Sequence, residues 1–199
     1  MLSMEQFGFI SNKQIMDAIG ITHECLHFVK VRKMDALILK MDRVKRHDRV
    51  NWAFLRLALL QIGLPLDVVE WIMGCVTSTS FVVLVNGNPT QIFRRSRGLR
   101  QGCPLSPMLL LLMIEGLRRL LLNERREGKI IGLKISARQF ITHILFVDDV
   151  ILFGCGQLEE WQELHHIINT FCAASGMMVS LEKSSFLRNG ISKYVFLNI

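Results

Sequence analysis

The sequence has few of the features that mark secreted, zinc-binding or membrane-spanning proteins. Its five cysteines are odd in number, lie far apart and form no C-x-x-C pair, which argues against a disulfide framework or a cysteine zinc site. The N-terminus lacks the basic start and apolar run of a signal peptide. The most apolar stretch, residues 108–122, is interrupted by Glu115, Arg118 and Arg119, so it falls short of the roughly 20 apolar residues that a membrane span requires. These absences predict an intracellular protein from a reducing compartment.

Repeats, low-complexity segments and linkers are also missing, so the 199 residues are expected to form one continuous unit. Acidic residues are scarce relative to basic ones, 17 against 24, and the formal net charge is +7. An excess of this sign favours an anionic partner. Nucleic acid is the first candidate, and an acidic membrane surface is the second.

Hydrophobic periodicity predicts interleaved helices and strands. Since the two kinds of element alternate, the fold class is expected to be α+β or α/β with a mixed or antiparallel sheet. A tight hairpin is expected at Asn86-Gly87, and a helix capped by Ser106 with Pro107 at its first position. The other predicted elements are helices in 11–30, 52–63, 64–76 and 158–175, a strand ending at Asp42, and a last strand in 194–199.

Two adjacent carboxylates, Asp148 and Asp149, separate two apolar runs in the segment His143–Gly154. The runs predict a hairpin with the carboxylates at its turn. Two interpretations remain open from the residues alone: a polar turn that faces water, or a site that holds a cation. Asp42 also ends an apolar run, and a sheet can bring two strand ends together. Clustered carboxylates on strands suit Mg²⁺, and two such ions serve phosphoryl displacement.

A basic loop, residues 94–107, places four arginines within seven positions, a density suited to phosphate groups. An ordinary solvated loop is the alternative. Gly98 and Gly102 permit a close approach of the backbone to a ligand, and Gln101 offers a donor and an acceptor for a base edge. The four arginines are Arg94, Arg95, Arg97 and Arg100.

Three motifs in this order resemble the reverse transcriptase domain of LINE-type non-LTR retrotransposons, particularly those of plant genomes. "RGLRQGCPLSP" is similar to the family's R-G-[VL]-R-Q-G-[DC]-P-L-S-P, and "FVDDVILF" to its F-[AV]-D-D-x-x-L-F hairpin. "FCAASGMMVSLEKS" resembles its F-x-x-x-S-G-L-x-x-N-x-x-K-S segment. The upstream stretch "QIMDAIGITHECLHFVK" is also similar to the family, so the likeness covers nearly the whole chain.

The resemblance implies an α+β fold of the right-hand polymerase type, with an antiparallel palm sheet packed on helices, part of the fingers and no thumb. Residues 1–35 would be a fingers remnant and residues 36–199 the palm. The implied activity is RNA-directed DNA polymerase, which extends a DNA primer on an RNA template with deoxynucleoside triphosphates. A nuclear location without a membrane partner is implied by the family's priming on chromosomal DNA.

The resemblance also implies individual roles. Asp42 and Asp148 would bind two Mg²⁺ ions, with Mn²⁺ as a substitute, and Asp149 would assist. Lys183 falls at the family's late lysine, a proton donor to the pyrophosphate leaving group, although a surface lysine would need no such role. The residues expected against the template or the incoming nucleotide are His47, Arg97, Gly98, Arg100, Gln101, Gly102 and Pro104.

The first catalytic segment, "KMDRVKRHDRVNW", departs from the family pattern K-[LM]-D-Φ-x-K-A-[FY]-D-[RK]-[VI]-x-W, in which Φ is apolar. Arg43 and Arg46 replace an apolar residue and an alanine. His47 stands where the family keeps an aromatic ring that packs against the sugar of the nucleotide. A second hypothesis is therefore a degenerate palm fragment that binds nucleic acid without catalysis.

A third hypothesis comes from "HECLH", His23 to His27, which satisfies the H-E-x-x-H pattern of zinc proteases. The extended form of that motif needs glycine at position 30 and histidine at 33, and both positions are lysine. Glu70 could be the third ligand, but Trp71 beside it indicates a packed helix.

Overall fold

The computed structural model of the protein describes Phe7 and residues 14–44, 46–137, 139–146 and 149–188. The helices are α1 (Ile15–Arg32), α2 (Arg46–Arg49), α3 (Trp52–Gln61), α4 (Leu66–Thr77), α5 (Leu105–Arg126) and α6 (Leu158–Ser175). The strands are β1 (Leu37–Val44), β2 (Ser80–Phe81), β3 (Leu84–Val85), β4 (Asn88–Pro89), β5 (Phe93–Arg94), β6 (Leu133–Lys134), β7 (Phe140–Ile141), β8 (His143–Phe146), β9 (Asp149–Gly154) and β10 (Met178–Arg188).

The centre of the fold is a four-stranded antiparallel sheet in the order β10-β1-β9-β8. Successive side chains of a strand face opposite sides of a sheet, and β1 follows this rule. Leu37, Leu39 and Met41 belong to the larger core, which the sheet shares with α3, α5 and α6. Ile38 belongs to a second core with Val29 and other residues of α1. The sheet is therefore covered by helices on both faces, and the predicted α+β class with an antiparallel sheet is confirmed.

The helix predictions hold closely. Helix α6 has the predicted bounds and ends at Gly176, which adopts the left-handed conformation (φ +77°) that favours glycine. The start predicted for α5 is wrong, because the helix begins at Leu105 with Pro104 in the cap position. The Ser106 hydroxyl does not cap the helix. It donates to the Arg100 carbonyl at 2.7 Å and so closes the loop that precedes α5.

The strands differ more from expectation. Asn86 and Gly87 (φ +50° and +82°) form the predicted turn, here between β3 and β4. Strand β1 does not end at Asp42 but continues to Val44, because β10, which the sequence analysis did not predict, pairs with it there. The strand predicted in 194–199 lies outside the described residues. No helix in the described part of the chain is long and apolar enough to cross a membrane.

Candidate functional site

Two of the predicted acidic residues lie at the same end of the central sheet. Met41 pairs with Val150, so the next residues along these antiparallel strands are Asp42 and Asp149. The Asp42 side chain is partly buried. Asp149 is 40% exposed, and its Oδ1 lies 3.7 Å from the Lys40 Nζ, a pair open enough to contribute little stability. Asp148 lies outside the described residues.

Strand β10 brings a second set of polar groups to Asp42. The register between β1 and β10 shifts here, since Lys40 faces Ser185 whereas Asp42 faces Ser180. Residues 181–184 therefore form a bulge opposite Met41. The Asp42 backbone N–H donates to the Ser184 hydroxyl at 3.3 Å. The bulge also contains Lys183, whose side chain is exposed, so the chain segment of the predicted proton donor adjoins the first aspartate.

The basic loop is fixed to residues 47–52, which follow the Asp42 strand. Three hydrogen bonds join the two segments: Gly98 N–H to the Val50 carbonyl at 2.8 Å, Leu99 N–H to the His47 carbonyl at 2.5 Å, and Trp52 Nε1 to the Gly98 carbonyl at 2.7 Å. Gly98 is buried at φ +92°, and a Cβ there would lie 2.8 Å from the Asp48 carbonyl oxygen. The close approach that this glycine permits is therefore to the protein's own backbone, whereas the sequence analysis expected a ligand.

The third sequence motif holds the same segment at a second point. Asn51 N–H donates to the Ser175 carbonyl at 2.8 Å, and Arg49 Nε donates to the Gly176 carbonyl at 3.4 Å. A Cβ at Gly176 would collide with the Arg49 carbonyl oxygen. Residues 47–52 thus lie between two glycines from distant parts of the chain, and this packing fixes the position of the strand end that carries Asp42.

The four arginines of the loop divide into two kinds. Arg95 is structural: its Nη1 lies 3.6 Å from Asp48 Oδ1 and donates to the Leu99 carbonyl at 3.3 Å, and its guanidinium lies over the Phe81 ring at 4.5 Å. Arg94, Arg97 and Arg100 are exposed and make no ion pair within the part of the chain that the structure describes. These three guanidinium groups are available to an anionic ligand.

The remaining residues of the loop lie beside the arginines. Gln101 Nε2 donates to Asp48 Oδ2 at 3.4 Å, which ties its amide to residues 47–52. Gly102 (φ +76°) is exposed and has open space where a Cβ would lie, so a ligand can approach its backbone. Pro104 is exposed at the start of α5. Backbone N–H groups of Leu105 and Ser106 at this helix start lower the pKa of the Cys103 thiol.

The H-E-x-x-H residues lie on an exposed face of α1. His23, Glu24 and His27 are all exposed, and the described residues contain no group of three side chains able to hold a metal ion. Glu70, the alternative ligand, is paired with Arg56 of α3. Trp71 is 69% exposed, so the packed position expected for it is wrong.

Sequence reasoning missed two carboxylates that matter for the framework. Asp48 received no role, yet it contacts both Arg95 and Gln101. Glu160 is buried and accepts hydrogen bonds from the backbone N–H groups of Ile131, Gly132 and Cys155. An acidic residue in the first turn of α6 was a visible signal for a capping role, but its three partners come from other segments and could not be inferred from spacing.

Comparison with known protein families shows which family the chain belongs to. The sequence profile of the family described as "Reverse transcriptase (RNA-dependent DNA polymerase)" matches residues 1–195. The chain belongs to the reverse transcriptase family. This membership confirms the predicted family and enzyme class and leaves the zinc-protease hypothesis without support.

Its relatives place this reverse transcriptase domain among those of non-LTR retrotransposons, as predicted. The chain is 30% identical over 195 residues to the "Transposon TX1 uncharacterized 149 kDa protein" of Xenopus laevis, which is 97% of the chain and 14% of that protein. It is 25% identical over 163 residues to the "Retrovirus-related Pol polyprotein from type-1 retrotransposable element R2" of Popillia japonica, 79% of the chain and 25% of that protein. The chain therefore corresponds to a minor part of each relative.

Solved structures support the fold. Apo telomerase from Candida tropicalis, truncated from its C-terminal domain, superposes with a TM-score of 0.66 at 13% identity and covers 95% of this chain and 37% of that one. Telomerase from Candida albicans in complex with a fragment of telomeric RNA gives a TM-score of 0.64 at 15% identity and covers 90% of this chain and 31% of that one. At this identity the likeness concerns the fold alone, which is consistent with the predicted palm and part of the fingers.

Proposed function

We propose that this reverse transcriptase domain is a catalytic palm that extends a DNA primer on an RNA template by two-metal nucleotidyl transfer. The observation that carries the proposal is the position of Asp42 and Asp149 on neighbouring strands at one end of the sheet. Asp148 directly precedes Asp149 in the chain. The domain boundary expected after residue 35 falls in the turn between α1 and β1, and we retain it as part of the proposal.

Reverse transcriptases use divalent metal ions. The proposed donors are carboxylate oxygens, the ligands that a hard cation prefers, and Asp42 lies partly buried on a strand that pairs with both of its neighbours. Asp42 and Asp148 would hold Mg²⁺ or Mn²⁺, with Asp149 assisting. Bound there, the ions would stabilise charge on the attacking and leaving oxygens.

The chain's own residues would supply the remaining steps. Arg97 and Arg100 would bind phosphates of the template, and Gln101 would meet a base edge with its amide orientation set by Asp48. Gly102 would allow the strand to approach the backbone. Lys183 would deliver a proton to the pyrophosphate leaving group from the bulge beside Asp42. His47 and Pro104 complete the proposed surface, and a nuclear location remains part of the proposal.

One observation favours the second hypothesis, a palm that binds nucleic acid without catalysis. The Lys40 ammonium already lies 3.7 Å from Asp149 and offsets one of the charges expected beside the metal ions. The substitutions at Arg43 and Arg46 add positive charge to the same segment. Such a protein would keep its template affinity and lose nucleotide addition.

Primer extension separates the two functions. The purified chain is assayed at low salt on an RNA template with a DNA primer, first with Mg²⁺ and then with Mn²⁺, beside the Asp148→Asn variant. The proposal predicts extension that the variant loses, whereas its template–primer affinity is unchanged or slightly higher because a negative charge is removed. Asp67→Asn, the same chemical change on the exposed first turn of α4, is the control and keeps full activity. A folded chain that binds the duplex but extends no primer would contradict the catalytic proposal.

A further inference from the structure

The hairpin that precedes the arginines presents an unusual surface. Residues 80–93, here called the apolar hairpin, contain no charged residue and carry several exposed large side chains. Ile92 is 73% exposed and Phe93 is 47% exposed. The other exposed apolar residues are Val82, Val83, Leu84 and Val85. Several exposed apolar side chains on one short segment are typical of a surface that contacts a ligand or partner.

Phe93 is held in a defined position. Its ring stacks on Phe81 across the β2–β5 pair, with centroids 5.9 Å apart and planes 27° apart. Phe81 in turn contacts the guanidinium of Arg95, which is paired with Asp48. The contacts connect Phe93 through Phe81 and Arg95 to residues 47–52. Phe93 is therefore a supported aromatic ring with nearly half of its surface free.

The charged residues near Phe93 in the sequence are all basic. No acidic residue occurs between Glu70 and Glu115 in the sequence. Arg94 follows Phe93 directly, Arg97 lies three positions further on, and neither makes an ion pair within the described residues. The carboxylate that contacts this region, Asp48, is already paired with Arg95.

An exposed aromatic ring followed within four positions of the sequence by two arginines without ion pairs in the described residues fits one class of ligand best. Single-stranded nucleic acid offers unpaired bases that stack on aromatic side chains and phosphates that bind arginine. A duplex keeps its base faces inside its own stack, so it cannot use Phe93. We propose that the apolar hairpin binds single-stranded nucleic acid, with one base stacked on Phe93 and other phosphates of the same strand on Arg94 and Arg97. This inference rests on the proposed function only in assuming that the template reaches the arginine loop.

Fluorescence titration tests the inference directly. The probe is a single-stranded RNA of about ten nucleotides with 2-aminopurine in place of one adenine, whose emission depends on how the base is stacked, and no metal ion or nucleotide is added. We expect Phe93→Ala to weaken binding about tenfold and to reduce the change in emission on binding. Phe93→Leu keeps the apolar contact with Phe81 and shows a similar loss, whereas Phe93→Trp binds as tightly or more tightly. Ile92→Ala, a neighbouring and more exposed apolar residue, stays within about twofold of the parent.

Salt dependence tests the phosphate contacts. Arg94→Gln and Arg97→Gln are each expected to reduce the slope of log affinity against log salt by about 0.7, the value for one phosphate contact on a single strand. A slope unchanged in both variants would overturn the assigned phosphate contacts.

Three results would overturn the inference. The first is an equal effect of Phe93→Ala and Ile92→Ala, and the second is a loss of affinity in Phe93→Ala that is as large for a duplex of the same length as for the single strand. The third is a dimer in sedimentation that Phe93→Ala dissociates, which would make the hairpin an interface between copies of the chain. Because the titration needs no catalysis, failed primer extension with intact stacking contradicts the proposed function alone. Normal extension with binding that is insensitive to Phe93 contradicts this inference alone.

Discussion

Residues 47–52 and the apolar hairpin contact the same short loop, yet they are held by opposite means. Residues 47–52 are fixed by backbone hydrogen bonds and by Gly98 and Gly176, which pack against their carbonyl groups. The hairpin contacts the loop through Phe81 and Arg95 and leaves most of its apolar side chains exposed. The first arrangement holds residues 47–52 in a fixed position, and the second leaves an exposed surface that a ligand can contact.

The difference separates the charged residues and glycines of this loop that support the fold from those that face the solvent. Gly98 and Arg95 belong to the framework, whereas Arg97, Arg100 and Gly102 face the open side. The sequence suggests a single binding loop, but some of its residues support the fold and the others are exposed to a ligand. Substitutions in the two groups should therefore give different losses.

The largest effect is expected at the framework glycine of the third motif. Gly176 and Gly128 share φ +77°, so alanine costs about 1–2 kcal/mol at either position from backbone strain. Only Gly176 faces another backbone, the Arg49 carbonyl, whereas Gly128 has open space. We expect Gly176→Ala to lower the free energy of unfolding by about 3 kcal/mol or more in urea titration. Equal losses in the two variants would show that residues 47–52 are not tightly packed against this glycine.

Substitutions of the two kinds of arginine should have opposite effects on stability and on nucleic-acid binding. Arg95→Gln is expected to lower the free energy of unfolding by about 1 kcal/mol, because it removes the contacts with Asp48, the Leu99 carbonyl and the Phe81 ring. Arg97→Gln should leave stability within about 0.5 kcal/mol and weaken nucleic-acid binding in a salt-dependent way. Urea titration measures the free energy of unfolding of each variant, and binding assays at two salt concentrations measure its affinity for nucleic acid. Loss of stability from Arg97→Gln as large as that from Arg95→Gln would remove the distinction.

The smallest effect concerns thiol reactivity and leaves stability unchanged. Cys103 and Cys155 are both partly exposed, but their thiol pKa values shift in opposite directions. Backbone N–H groups lower the pKa of Cys103, whereas burial and the Glu160 carboxylate raise that of Cys155. The thiolate is the reactive form, so Cys103 should be alkylated faster between about pH 7 and 8. Peptide mass spectrometry after brief iodoacetamide treatment measures the two rates, and faster labelling of Cys155 would contradict the assignment.

Local patterns predicted the local structure well. The spacing from Leu158 to Gly176 predicted both ends of α6, and Asn86-Gly87 predicted the turn between β3 and β4. Both predictions succeeded because each depends only on neighbouring residues. The bulge opposite Met41 and the burial of Gly98 depend on segments more than 40 positions away, so no local pattern contains them. The family motifs singled out the aspartates as candidate site residues, which remains a prediction, whereas the partners of Asp48 are visible only in the folded chain.

The central claim is that the sheet carboxylates hold the metal ions, and iron-directed cleavage tests it most directly. Fe²⁺ replaces Mg²⁺, ascorbate and peroxide generate radicals at the bound ion, and mass spectrometry locates the cuts in the chain. The account predicts cuts in the chain segments around Asp42 and Asp148, reduced by excess Mg²⁺ and lost in Asp42→Asn. Cuts confined to α1 around His23 and His27, unaffected by that variant, would contradict it.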